Sequence, residues 1–236
     1  MYKKKILVLG ASSDIGIKIV QKYLSKNWSV IAHCNKNSKE LKKIYNDDLE
    51  IFSFDLRKID KFKVFVNENK IFKNIDAFIS LTGYLEPINF FNIDSKTFFN
   101  HINVNYLSNI IVTQKLLPSM KNKNFGRILF SSSVGVKFGG ANNSPLYSLT
   151  KHMNEFFFSS FKEFYKENIF INTIRIGVTD TKIHKKKGVT DLSKRISLIP
   201  TKKMASPDEI AEYFYFYGSE KNSFTTKSII EVTGGE

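Results

Sequence analysis

The stretch Ile6-Leu7-Val8-Leu9-Gly10-Ala11-Ser12-Ser13-Asp14-Ile15-Gly16 passes from an apolar run directly into a turn of glycine and small polar residues. From Ile15 to Leu24 apolar residues then recur at helical spacing. The segment therefore reads as strand, glycine turn, helix. Small residues at such a turn let the backbone approach a pyrophosphate, which rests on the unpaired N–H groups of the helix N-terminus. Gly10 suits the tight turn and Gly16 the close packing of helix on strand, while Ser12, Ser13, Asp14 and Ile15 border the phosphate position. Asp14 also has the residue type of a helix N-cap. Taken alone, such a turn is a moderate signal, and a plain loop is the lesser alternative.

The rest of the chain continues the alternation. Strand-like runs lie at Ser29–Ala32, Leu49–Phe54, Asp76–Ser80, Arg127–Ser131, Ile169–Ile176 and Ser228–Val232. Helical patterns cover about Phe98–Met120, Leu146–Asn168 and Pro207–Gly218. Strands separated by helices need crossover connections, so the expected fold is α/β: a doubly wound, mostly parallel sheet of the Rossmann kind. No internal repeat or shift in composition marks a boundary, so residues 1–236 are expected to form a single domain.

Composition narrows the function classes. Hydrophobic residues are 42% and charged residues 25% of the chain, the balance of a globular protein. No apolar run reaches the ~18 residues of a membrane-spanning helix, and the one after Lys5 is too short for a signal-peptide core, so a cytoplasmic protein without membrane contact is expected. Cys34 is the only cysteine, which excludes an intrachain disulfide and reads as a small structural residue. The net charge of +14 raises nucleic acid as a partner. Arginine occurs only at positions 57, 127, 175 and 195, and the lysines are spread along the whole chain. That dispersion argues for a compositional bias and against a nucleic-acid-binding face. His33, His101, His152 and His184 lack ligand spacing with one another or with Cys34, so no metal is expected.

Tyr147-Ser-Leu-Thr-Lys151 opens a helical pattern, and its i, i+4 spacing puts both side chains on one face. A free tyrosine titrates near pH 10; a neighbouring ammonium stabilises the phenolate and is expected to lower that value. An isolated Tyr-x-x-x-Lys pair usually decorates a solvated face. Here, Ser131-Ser132-Ser133 closes a strand upstream, and Asn103-Val-Asn105 lies in a helix before that.

In that order and on those elements, the four residues resemble the short-chain dehydrogenase/reductase family. The resemblance covers essentially the whole chain. The family's glycine pattern is Thr-Gly-x-x-x-Gly-x-Gly, from which Leu9 departs at the threonine and Asp14 at the middle glycine. The resemblance implies carbonyl–alcohol interconversion with a nicotinamide cofactor. Tyr147 would be the general acid–base, Ser133 would polarise the substrate oxygen, and Lys151 would assist Tyr147 and bind the nicotinamide ribose. Asn105 would support a water-linked proton path behind Lys151. By the same resemblance Asp55, followed by Leu56, matches an adenine contact. Gly83 closes a segment whose Ser80 to Thr82 differ from the family's Asn-Asn-Ala. Gly177, Val178 and Thr181 occupy the place of the family's Pro-Gly segment, and Val232-Thr-Gly-Gly235 that of its Val-Asp-Gly-Gly.

After the second strand, Asn35-Lys36-Asn37-Ser38 contains no carboxylate to bind the ribose hydroxyls of NAD(H). Asn35 and Lys36 could instead donate to a 2′-phosphate, so NADP(H) is favoured over NAD(H); the alternative makes Lys36 one more surface lysine. The family's variable substrate loop falls at about 182–204 and carries Lys182, Lys185, Lys186, Lys187, Lys194, Arg195, Lys202 and Lys203. An anionic or carrier-bound carbonyl substrate and a merely solvated loop both fit that content. Phe156, Phe157, Phe158, Phe161, Phe164 and Tyr165 would spread around one helix, and Tyr213–Tyr217 adds a second aromatic run. A helix apolar on several sides is buried on several sides, which points to a homotetramer or dimer. Among the family's branches the 3-oxoacyl-carrier-protein reductases are most similar. The alternatives are a sugar or nucleotide-sugar dehydrogenase, and a cofactor-binding sensor without chemistry.

Overall fold

The computed structural model describes residues 2–182 and 192–236. Seven parallel strands form one sheet in the order β3-β2-β1-β4-β5-β6-β7. They are β1 Lys5–Leu9, β2 Ser29–Cys34, β3 Leu49–Ser53, β4 Ala77–Ser80, β5 Gly126–Ser133, β6 Ile169–Ile176 and β7 Ile229–Val232. The order reverses between β1 and β4, and such a switch point opens a crevice at the carboxyl ends of the strands. Both faces of the sheet are covered. α1 (Asp14–Ser25) and the helix Pro207–Tyr217 pack on one; α3 (Ile59–Glu68) and α5 (Ser108–Lys123) pack on the other, after α2 (Lys39–Lys42) and α4 (Ser95–Ile102). β1 is apolar on both sides because Ile6 and Val8 enter one core while Leu7 and Leu9 enter the other. Among the described residues no helix is long and apolar enough to cross a membrane.

Two local readings need correction. Ser13, not Asp14, caps α1: its Oγ accepts from Gly16 N at 3.0 Å, and Asp14 is the first helical residue. The helix expected over Leu146–Asn168 ends early. α6 spans Pro145–Met153, a short 3₁₀ turn follows at Ser159–Phe161, and α7 covers only Lys162–Tyr165. Tertiary contacts overrule helix propensity at the break. Thr173 Oγ1 donates to Asn154 O at 2.5 Å, and Glu155 is drawn inward to Arg175, where the helix gives way to i→i−3 turns. The phenylalanines therefore do not share one helix: Phe161 is buried whereas Phe156 is 65% exposed.

Candidate functional site

The glycine turn lies at the carboxyl end of β1, against the switch point. Gly10 adopts φ +75°, and an added Cβ there would lie 3.0 Å from the Leu81 carbonyl. A Cβ on Gly16 would come within 2.7 Å of the Ala11 backbone, so α1 can approach β1 this closely only with glycine. Gly16 N is taken by Ser13, while the amides of Asp14 and Ile15 belong to the first helical turn, which has no intrahelical acceptors for them. That arrangement fits a pyrophosphate. The Asp14 carboxylate turns across the turn's mouth: Lys182 N donates to Oδ2 at 2.7 Å, and Lys182 Nζ lies 3.4 Å from Oδ1.

The other expected cofactor contacts also lie just past strand ends. Asn35 and Lys36 are exposed beyond β2. Beyond β3, Asp55 is engaged by Arg57 Nη2 at 2.7 Å, and Leu56 is buried in the core. Past β4, a Cβ on Gly83 would lie 3.7 Å from the Tyr147 ring. Past β6, Gly177 packs on the Thr233 backbone, Val178 O accepts from Ala205 N, and Thr181 Oγ1 donates to Thr179 O. Of the basic residues at 182–204, Arg195 pairs with Glu236, Lys203 with Glu209, and Lys202 donates to Ser197 O. His184 and Lys185, Lys186 and Lys187 lie outside the described residues.

Beside the switch point, β5 ends at Ser133, whose Oγ accepts from Gly135 N at 3.2 Å. α6 brings Tyr147 and Lys151 beneath it, both buried. Lys151 Nζ donates to Thr82 O at 2.7 Å, Ser131 O at 3.0 Å and Ser131 Oγ at 2.8 Å, so its three protons have three protein acceptors. Burial pushes the Lys151 ammonium down to about 7 and the Tyr147 phenol up to about 12. Against the expected depression of Tyr147 by Lys151, desolvation prevails here, and burial drives both groups toward their neutral forms.

Asn105 sits in a π-helical turn, Asn103–Leu107, that joins α4 to α5. Its Oδ1 accepts from Tyr84 N at 2.6 Å, and its Nδ2 donates to Tyr84 O and Thr150 Oγ1, both at 2.9 Å. Its main-chain carbonyl accepts from Asn109 Nδ2 and Asn154 Nδ2, both at 2.9 Å. Asn109 also receives the Ser80 hydroxyl at 2.6 Å. Behind Lys151 there is thus a buried amide network centred on the Asn105 carbonyl. Asn109, Asn154 and Ser131 were not singled out by sequence reading. The i, i+4 spacing of Asn105 and Asn109 inside an apolar helix was the available signal. Among the described residues no group of three His, Cys, Asp or Glu side chains is placed to hold a metal.

The short chain dehydrogenase family model matches residues 4–191. The chain is 29% identical over 237 residues to 3-oxoacyl-[acyl-carrier-protein] reductase FabG of Buchnera aphidicola subsp. Schizaphis graminum, covering 99% of this chain and 97% of that one. It is 27% identical over 241 residues to an acetoacetyl-CoA reductase of Allochromatium vinosum, covering 97% and 96%. The solved structure of ElxO with NADP bound superposes with a TM-score of 0.85 at 22% identity over 99% of this chain and 98% of that one, a likeness of fold. A nucleotide turn at the switch point and a Ser–Tyr–Lys cluster beside it accord with a match over most of the chain: this protein is an oxidoreductase of the short chain dehydrogenase family, whose members bind a nicotinamide cofactor.

Proposed function

We propose that the protein reduces a carbonyl to an alcohol with NADPH, and that its substrate is a 3-oxoacyl thioester. The observation that supports this reading is that Lys151 is bonded to Ser131 on β5, the strand that ends at Ser133, and to Thr82 beyond β4, where the Tyr147 ring lies near Gly83. When bound, NADPH supplies the hydride. The Tyr147 phenol, held protonated by its burial, donates the proton that the reduced oxygen needs. Ser133 donates a hydrogen bond to that oxygen and offsets the charge that develops on it. Lys151 would stabilise the phenolate by its charge, and to reach the nicotinamide ribose its ammonium would exchange one of its bonds to Thr82 or Ser131. Asn105 holds Tyr84 and Thr150, and so places the loop after β4 against α6.

The glycine turn, Asp55, Leu56, Gly83, Gly177, Val178 and Thr181 would border the cofactor. Asn35 and Lys36 favour the 2′-phosphate, since no carboxylate follows β2 to repel it. The thioester class is supported by the names of the two reductase relatives, whose length this chain spans almost entirely. Exposed Phe99 on α4, Leu149 on α6 and Phe156 beyond it support assembly with further copies of the chain.

The test is oxidation of NADPH by the purified protein with acetoacetyl-CoA, a simple diketone and a keto-sugar nucleotide as parallel substrates, with NADH for comparison. Fastest turnover of acetoacetyl-CoA with NADPH is expected. Preference for the keto-sugar would replace the substrate class, and cofactor binding with no turnover on any substrate would favour a sensor.

A further inference from the structure

His33 lies at the carboxyl end of β2, directly against the glycine turn. Its ring is only 3% exposed, and both nitrogens are used. Gly10 N donates to Nδ1 at 3.2 Å, and Nε2 donates to Phe54 O at 2.9 Å. Because the Gly10 amide can only donate, Nδ1 must carry a lone pair, which fixes the neutral tautomer with its proton on Nε2. The same residue engages the next amide through its main chain, where Ala11 N donates to His33 O at 2.9 Å.

Two consecutive amides leaving β1 are therefore held by one residue, from one side. From the other side the turn abuts the Leu81 carbonyl, too close for anything but glycine at position 10. Between these two contacts the chain has little freedom in how it enters the turn, in which Ser13 N bonds back to Gly10 O and Asp14 and Ile15 begin the first helical turn. The Nε2 contact adds the exit of β3, since Phe54 immediately precedes Asp55. One imidazole thus ties together the ends of β1, β2 and β3, the part of the crevice that the adenosine half of a dinucleotide occupies in this type of fold.

We propose that His33 is a positioning residue for cofactor binding, holding the Gly10 amide, and with it the pyrophosphate turn, through the lone pair of its neutral imidazole. This rests on the nicotinamide-cofactor reading of the turn. His33 meets neither substrate nor the reacting atoms. Serine or threonine is too short to span both contacts. Asparagine places its Oδ1 where Nδ1 stands and so retains the Gly10 contact, while giving up the one to Phe54.

The experiment compares the full chain with His33→Leu and His33→Asn. NADPH affinity is titrated by fluorescence, and hydrogen exchange at the Gly10 amide is followed without cofactor. Loss of one net hydrogen bond of about 1–1.5 kcal/mol corresponds to about tenfold. His33→Leu is therefore expected to weaken NADPH binding about tenfold and speed Gly10 exchange by a similar factor, and His33→Asn to restore most of both. Wild-type affinity and wild-type exchange in His33→Leu would overturn the proposal. So would equal losses in the two variants, because ring packing rather than the acceptor would then be responsible. If the wild-type chain does not bind NADPH, the cofactor reading falls, and the Gly10 exchange rates alone still decide whether His33 holds the turn.

Discussion

The Lys151 ammonium nitrogen stands 5.8 Å from the centroid of the Tyr147 ring, with both groups buried on the same face of α6. Burial acts on the two in opposite directions. Tyr147 stays a phenol up to about pH 12, while Lys151 loses its charge near about pH 7. The form competent for reduction carries a protonated tyrosine and a charged lysine, so kcat/KM for carbonyl reduction is expected to decline as pH rises through about 7. A rate that is flat or rising from about pH 6 to 9 would show that a different group controls the reaction. Tyr147→Phe should lower turnover at least about a hundredfold at every pH while leaving NADPH bound.

At the other end of α6, Glu155 accepts from Ser132 Oγ at 2.6 Å and from Arg175 Nε and Nη2 at 2.8 and 2.7 Å. Burial by itself would raise its pKa, but the bonds to Arg175 and Ser132 prevail and hold it below the usual carboxylate value. Its contribution to stability is therefore present above the unfolded-state pKa and lost as pH falls through the lower folded value. Breaking such a pair from one side costs about 3–5 kcal/mol. Thermal unfolding of Glu155→Gln should show a loss of that order at neutral pH, and a gap to wild type that narrows in acid.

Gly16→Ala tests the approach of α1 to β1. The new methyl would sit 2.6 Å from Ala11 O, which is backbone and cannot swing aside. Overpacking of this kind costs about 1–3 kcal/mol. A lower unfolding temperature and weaker NADPH binding are expected together; an unchanged protein would mean that the turn relaxes freely.

On the proposed cofactor reading Asp14 would place a carboxylate near the phosphates, yet it also holds Lys182 N. Asp14→Asn keeps an acceptor for that amide and removes the charge. At partly exposed separations a unit charge is worth about 1 kcal/mol, so NADPH should bind about fivefold tighter, with a weaker dependence on salt. Weaker binding would instead assign the carboxylate a direct role in holding the cofactor.

Light scattering at micromolar concentration should report a dimer or tetramer. Phe99→Glu with Phe156→Glu should shift it to monomer, since charges buried without partners oppose association. A monomeric wild type would reject assembly.

The glycine turn and the shared face of Tyr147 and Lys151 could be read from sequence because each depends on local spacing: a glycine before a helix, and two side chains one helical turn apart. The parallel sheet was likewise legible, since β1 and β4–β6 read as short apolar runs between helices. The end of α6 was hidden because it is set by Thr173 and Arg175, residues on a strand formed later in the chain. Apart from those within one helix, the contacts of Asn109, Asn154 and His33 span 19 to 49 residues. No periodicity announces the long-range ones; only the i, i+4 pair Asn105–Asn109 leaves a trace in the sequence. The capping role went to Ser13 over Asp14, which both have suitable side chains; only the backbone geometry distinguished them.

The three bonds of Lys151 reach Thr82 beyond β4 and Ser131 within β5. One ammonium thereby rivets two neighbouring strands at the rim of the crevice. Prising them apart would strip all three bonds from a buried cation, so the crevice floor behaves as a fixed plate. The separation of the two strands at that point is thus held by a side chain as well as by the β4–β5 ladder.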